Sequence, residues 1–204
     1  MSTRKWAHGR PRTPDHPKST VLTRHPRFWQ AVAADLKITL AYRAEAITVS
    51  SRGDLIVQSL RLMWASDAFL AQVLYRAKAR LQALGVPVLP RIAHRLAMSV
   101  AQVCIGDPVV VEPGIYIAHG QVVIDGLSEV RSGAVFFPWV TIGLRAGDFN
   151  GPTIGRGVHI GTGAKVIGPV KIGDGAKIGA NAVVVSDIPP NATAAGIPAR
   201  VVRS

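Results

Sequence analysis

A side chain that takes up and returns a proton near neutral pH is most often histidine, and three imidazoles that converge can hold a zinc ion. This chain of 204 residues has six histidines. Two of them, His119 and His159, fall in its glycine- and valine-rich second half, forty residues apart. That pair lacks the third, closely spaced imidazole a zinc site needs, so no metal is expected. On position alone His119 reads as a solvent-facing imidazole without a task. His94, beside Arg91 and Arg95, reads as a partly exposed structural histidine. Cys104 is the only cysteine, which excludes an internal disulfide, agrees with a reducing compartment and reads as a small buried apolar residue.

What must position these groups is a repeat. Ile154, Ile160, Val166, Ile172, Ile178 and Val184 recur every six residues, and Gly155, Gly161, Gly173 and Gly179 follow four of them. A period of six fits neither a helix nor plain strand alternation. One branched residue per hexapeptide can fill a narrow interior while glycine turns the corner. Three such sides close a coil, and stacked coils pair their backbones as a parallel β-helix. The rhythm begins at Ile105, Val111 and Ile117, slips by one residue to Ile124, and continues through Val130, Phe136 and Ile142. About four coils are expected. Leu144 to Pro152 interrupts the repeat and should leave the column as a loop, where binding residues tend to lie. Pro189-Pro190 should end the column, with Ala194 to Val202 running back along its outside.

Ahead of the column the spacing is helical. Phe28, Val32 and Leu36 share one face. Ser51-Arg-Gly53 marks a break before a helix carrying Ile56, Leu60 and Met63. Ser66 or Asp67 caps a third helix, with a stripe of Leu70, Val73, Leu74, Ala77, Leu81 and Leu84 that stops at Gly85. Ile92, Leu96 and Val100 should face inward on a fourth. The division is a disordered basic tail over 1–26, a helical unit over 27–102, and the β-helix with its C-terminal tail over 103–204.

A formal charge of +12 invites nucleic acid as a partner, yet much of the excess lies in the front segment without a recognisable nucleic-acid module. A phosphorylated nucleotide cofactor would also favour a basic surface. No apolar run is long enough to span a membrane and the start lacks a signal-peptide core, so a cytoplasmic protein with neither nucleic-acid nor membrane partners is expected.

The coils, Ile117-Ala-His119-Gly120, the interrupting loop, Gly161-Thr-Gly-Ala-Lys165 and Ala195-Gly-Ile-Pro-Ala-Arg200 resemble the hexapeptide acyltransferases, most nearly the serine O-acetyltransferases. So does Gly85-Val-Pro-Val-Leu-Pro-Arg91, and the resemblance covers roughly residues 55 to 204. It implies an all-β left-handed parallel β-helix after a small helical unit. It also implies a homotrimer that uses acetyl-CoA as co-substrate in a groove between columns, and transfer of the acetyl group to an acceptor hydroxyl. His119 matches the family's general base, Thr162 and Asn181 match positions whose backbone holds the pantetheine arm, Gly143 matches a glycine beside the thioester, and Arg200 falls near the phosphates. A helical front shorter than that of hexameric serine enzymes points to a simple trimer, whose assembly would bury flat sides rich in Val and Ile.

The departures concern the acceptor. Where the serine enzymes carry aspartates this chain has Cys104 and Ala118, and where they carry Arg-His-Pro it has Asn150-Gly151-Pro152. Asp107 or Asp125 is then the candidate to orient His119 or meet a substrate ammonium, and Asn150 to hydrogen-bond the acceptor. The expectation is O-acetyl transfer with modest selectivity for serine, with a sugar hydroxyl or a non-catalytic scaffold as the alternatives.

Overall fold

The computed structural model describes residues 25–45 and 49–203, so nearly all of the expected basic tail lies outside the described residues. Four helices come first among them: α1 (Phe28–Tyr42), α2 (Arg52–Ala65), α3 (Asp67–Ala83) and α4 (Leu89–Ala101). A left-handed parallel β-helix of about five turns follows, wound through three sheets in rotation. The first sheet stacks β1 (Val103–Ile105), β4 (Val122–Ile124), β7 (Thr141–Gly143), β10 (Lys165–Ile167) and β13 (Val183–Val184). The second stacks β2 (Val110–Val111), β5 (Leu127–Val130), β8 (Asn150–Ile154) and β11 (Lys171–Ile172). The third stacks β3 (Tyr116–Ile117), β6 (Val135–Phe136), β9 (His159–Ile160), β12 (Lys177–Ile178) and β14 (Thr193–Gly196), and ends with β15 (Ala199–Arg203).

Register shows how the hexapeptide builds the column. Ile124 pairs with Ile142 and Val166 with Val184, one coil of eighteen residues in each case. Ile105 pairs with Ile124 across nineteen residues, because the corner Gly120-Gln121 holds one extra residue. Ile142 pairs with Val166 across twenty-four, the interruption accounting for the additional six. Every inward position, from Ile105 to Ala194, is buried, and burying a Val or Ile side chain contributes about 1.5–3 kcal/mol.

The lower end differs from the expectation. Ala194 does not run outside: it is buried and pairs with Ile178, so β14 is a fifth rung of the third sheet. The corner before it is shorter, with Ile188 bridging Ile172, which hid this coil from a strict six-residue count. Only β15 turns back, antiparallel to β14. The interruption is also smaller than expected. Arg145 and Asp148 close a tight turn, and the strand resumes at Asn150, which pairs with Leu127.

The upper end explains the helices. A parallel column leaves the first coil with backbone groups that no earlier coil can pair, and a buried unpaired group costs roughly 1–3 kcal/mol. α3 lies against that end and turns polar side chains toward it. Gln72 Nε2 donates to the Ile115 carbonyl at 3.0 Å, and the Tyr75 hydroxyl to Val109 at 3.0 Å. Arg76 donates to Val111 at 2.6 Å and Glu112 at 2.8 Å, while Lys78 Nζ donates to Ile105 at 2.5 Å and to the Asp107 carboxylate at 3.0 Å. Burial pushes the Tyr75 hydroxyl up to about 12, so it remains a donor. Asp35 on α1 completes the closure. Its carboxylate accepts the Gly114 and Ile115 N–H groups and a two-point contact from the Arg76 guanidinium, at 2.9 and 3.2 Å.

The expected face holds on α1, where Val32 and Leu36 are buried, but not on the three helices that follow. Gln72, Arg76 and Lys78 are buried on α3, whereas the apolar stripe drawn from the sequence is at best half-buried and Leu84 is exposed. On α2, Ser59 and Leu62 point inward, and Ile56 and Leu60 are exposed beside Val57 and Trp64. Ser51 is less a break than a start, capping α2 together with Asp54. On α4 the buried face is Pro90, Ala93, Ala97 and Ala101, small residues that let α3 come close, while Ile92, Leu96 and Val100 are exposed. Replacing Arg76 with methionine should strand Asp35 as a buried unpaired charge. The expected loss is about 3–5 kcal/mol in chemical denaturation, and a change under about 1 kcal/mol would show that the cap is not held by this pair.

Candidate active site

Two residues beyond the inward side chain of each third-sheet strand, the chain turns a corner into the first sheet. His119, Pro138, Thr162 and Ala180 occupy that position on successive rungs, as the pairing of Ile117, Phe136, Ile160 and Ile178 requires. Rungs are about 4.8 Å apart, so His119 and Thr162 lie about 10 Å apart along one edge, and Asn181 follows on the next rung. The structure thus brings together three of the residues singled out in the sequence.

His119 is exposed, and its imidazole makes no hydrogen bond among the described residues. The backbone beside it is fixed. Gly120 has φ 102°, and a side chain there would collide with the Ala101 carbonyl at the end of α4, which also accepts the Gln121 N–H at 2.8 Å. Lower on the edge the Asn181 N–H donates to the Thr162 carbonyl at 2.8 Å, and the Asn181 side chain lies against Gly163. Asn181 therefore has a packing role of its own. Arg200 belongs to β15, opposite Ala195, at the foot of the column, and donates to the neighbouring Ala199 carbonyl at 3.0 Å.

The other candidates stand elsewhere. Gly143, Asp125 and Asp107 belong to the opposite edge, between the first and second sheets, one strand width from His119. At about 3.3 Å per residue that is roughly 10 Å, too far for a hydrogen bond within one chain. Asp107 is instead tied to the cap. Burial would raise its pKa, but the hydrogen bonds from Lys78 and Gln82 and the Lys78 charge hold it below the usual carboxylate range. One Asp125 oxygen accepts the Gly126 N–H at 2.8 Å, as a turn residue does. Neither carboxylate orients His119 of its own chain, contrary to the sequence reading. Asn150 donates its side-chain amide to Asp148 at 2.9 Å and so helps to close the turn. Gly143 is buried with an ordinary φ, and an added methyl there would meet only Ile167 and Thr141, at 3.7 Å.

The remaining titratable groups have structural surroundings. His159 lies on the outer face of the third sheet, where its Nε2 is 3.2 Å from the Tyr42 hydroxyl and Tyr42 stacks on Tyr116 with centroids 4.5 Å apart. Burial, then the Lys177 charge, hold its pKa below the usual value. Burial and Lys78 do the same for His94. Burial, then the Asp125 carboxylate, push the Cys104 thiol up, away from nucleophilic character. Among the described residues no three of His, Cys, Asp and Glu gather as metal ligands, and no helix is long and apolar enough to cross a membrane.

Sequence reasoning missed two residues on the His119 edge. Phe137 is 38% exposed and Trp139 is 59% exposed, flanking Pro138 on the rung between His119 and Thr162. Trp139 has φ 67°, where the corresponding corners carry Gly120, Gly163 and Asn181. A left-handed conformation costs an ordinary side chain about 1–2 kcal/mol. Neighbouring groups fix it: Lys165 Nζ donates to the Trp139 carbonyl at 2.6 Å, and the Gly163 N–H to Pro138 at 2.9 Å. The signal in the sequence was a tryptophan where its sister coils carry glycine or asparagine.

Residues 151–186 match the family model described as bacterial transferase hexapeptide (six repeats). The chain is similar to serine acetyltransferase of Mycobacterium tuberculosis, 39% identical over 58% of this chain, although it spans only 53% of that protein. It is 32% identical to serine acetyltransferase of Synechococcus elongatus over 86% of this chain and 69% of the relative, and 36% identical to that of Helicobacter pylori over 65% and 79%. Among solved structures, a serine acetyltransferase in complex with CoA superposes with TM-score 0.71 at 28% identity, covering 90% of this chain and 72% of that one. The Neisseria gonorrhoeae serine acetyltransferase in complex with serine gives 0.72 at 30%, covering 89% and 71%. With its coils, its exposed histidine corner and relatives that it spans by more than two thirds, the chain belongs to the serine acetyltransferase family of hexapeptide transferases.

Proposed function

We propose that this chain catalyses transfer of the acetyl group of acetyl-CoA to the hydroxyl of serine, with His119 as general base. The observation that carries the reading is an exposed, unengaged imidazole on a rigid corner, in a chain whose relatives are serine acetyltransferases solved with CoA and with serine. A neutral hydroxyl attacks a thioester poorly. As the serine oxygen bonds to the carbonyl carbon, its proton passes to the imidazole. When the carbon–sulfur bond breaks, the sulfur takes that proton and leaves as CoA, and the imidazole is neutral again. Thr162 and Asn181 line the path of the pantetheine arm, and Arg200 stands at the phosphate end.

The site is completed by a neighbouring column. Gly143 and His119 occupy different edges of one prism, and one donor meets both only where the edge of one column faces the other edge of the next. The exposed faces favour one packing. The second sheet presents Glu129, Lys171 and Asp187, and α1 places Tyr42 over the third. The first presents Cys104, Val123, Thr141 and Val183, with Lys165 alone charged, and α4, which runs straight into it, carries the exposed Ile92, Leu96 and Val100. Of the column's strand Ile residues only Ile167 faces out, so the flat sides are less apolar than the sequence suggested. A homotrimer through the first sheet covers the most apolar of them. Asp125, exposed beside that sheet, is then the carboxylate available to meet the substrate ammonium across the groove, which Cys104 and Ala118 cannot do.

Three measurements test this reading. With L-serine and acetyl-CoA, following thiol release, His119→Ala should lower turnover by about 10² to 10⁴ with little change in donor affinity, while His159→Ala should do much less. Equal losses from both would remove His119 from its role. Sedimentation should give three copies or a multiple of three, and a monomer that still binds acetyl-CoA would refute the shared site. Gly143→Ala has room to fold, so its thermal midpoint should hold while KM for acetyl-CoA rises about tenfold, and an unchanged KM would place the thioester elsewhere.

A further inference from the structure

We propose that Trp139, flanked by Phe137, is the surface on which the thioester end of the donor lies, a binding residue of the reaction beyond those the resemblance supplied. This rests on the assignment of the His119 edge to acetyl-CoA.

The order of residues along the edge carries the inference. Thr162 and Asn181 stand on the lower rungs, His119 stands on the top one, and Trp139 occupies the rung between. A donor held from below whose carbonyl reaches His119 has to cross that rung with its last atoms, the two methylenes, the sulfur and the acetyl group. These are thin and apolar, and sulfur packs favourably against an aromatic face. An aromatic wall there also keeps water from the thioester while the acceptor is absent.

The conformation of Trp139 argues against a chance surface residue. The corner demands a positive φ, and its sister corners meet the demand with Gly120, Gly163 and Asn181; Gln121, the added residue of the top corner, also has a positive φ but is half-buried, so only here does an aromatic side chain meet it while standing 59% exposed. A residue held in a sparsely populated conformation that contributes little to its own core points toward a task outside that core. Lys165 and Gly163 fix the backbone on both sides, so the indole has a rigid base, and Pro138 beside it stiffens the turn.

The test is Trp139→Asn, since Asn181 shows that asparagine accepts this corner. Calorimetric titration with acetyl-CoA and with adenosine 3′,5′-bisphosphate, which lacks the arm, separates the two ends of the donor. The variant should bind acetyl-CoA about tenfold more weakly and the bisphosphate as before, with an unchanged sedimentation coefficient and a thermal midpoint no lower than that of the unsubstituted protein. Unchanged acetyl-CoA affinity overturns the inference. So does loss of the assembled state, which would make Trp139 a subunit contact. If the unsubstituted protein fails to bind acetyl-CoA, the functional reading falls and this inference with it. If it binds and depends on His119 for turnover while Trp139→Asn binds equally well, only the inference falls.

Discussion

A parallel β-helix satisfies its backbone by repetition, and repetition has to begin somewhere. The first coil has no predecessor, and its upward-facing carbonyls would be orphaned under any apolar cover. Here Gln72, Tyr75, Arg76 and Lys78 on one helix reach the carbonyls of Ile105, Val109, Val111, Glu112 and Ile115, and Asp35 collects the Gly114 and Ile115 N–H groups. The rest of the structure depends on this joint. It fixes the height at which the column starts, and hence the rung on which His119 stands. The end of α4 then abuts Gly120 and holds the corner next to the imidazole.

The edge that carries the site is a consequence of three-fold winding. Each coil has to bend sharply between its third and first sheets, and the bend uses two left-handed residues at the top, Gly120 and Gln121, and one on each of the next three rungs, Trp139, Gly163 and Asn181. Residues just ahead of such a bend point away from the interior, so an array of outward positions is available at no cost to the core. His119 and Thr162 use two of them. The extra residue at Gly120-Gln121 falls on the rung that carries His119, so the exposed imidazole stands at an irregular corner of that edge.

The column was legible in the sequence because each coil restates the same steric demand: a branched side chain within, a small residue at the turn. The fifth coil was not, since its corner is short and Ala194 is too small to signal an inward position. The helices were legible as helices, and the buried face was legible on α1, where Val32 and Leu36 lie in the core, but misread on the three that follow. Apolar spacing locates a stripe but does not say what lies opposite it, and opposite α3 lay polar backbone, so Arg76 and Lys78 turned inward and the leucines did not. The same limit applied to the site. His119, Thr162 and Asn181 fell into one array because the six-residue period puts them there, whereas Asp107 looked free until the structure showed Lys78 beside it. Trp139 stood in register with Gly120, Gly163 and Asn181, but that this corner demands their left-handed conformation lies in a backbone angle.

The two ends of the column are closed by different means, and the lower one governs what the protein does in a crowd. A bare bottom rung would present parallel-pairing groups to the top of another column, a template for end-on growth into a fibre. β15 reverses direction and lies antiparallel along β14, with a register shift between Thr193 and Ala194, so the outermost strand of the third sheet runs against the winding. A second column arriving in the orientation that extends the spiral finds no strand of matching sense on that side. Five residues, Ala199–Arg203, two of them arginines, thus cover the lower end of the third sheet with a strand of opposite sense.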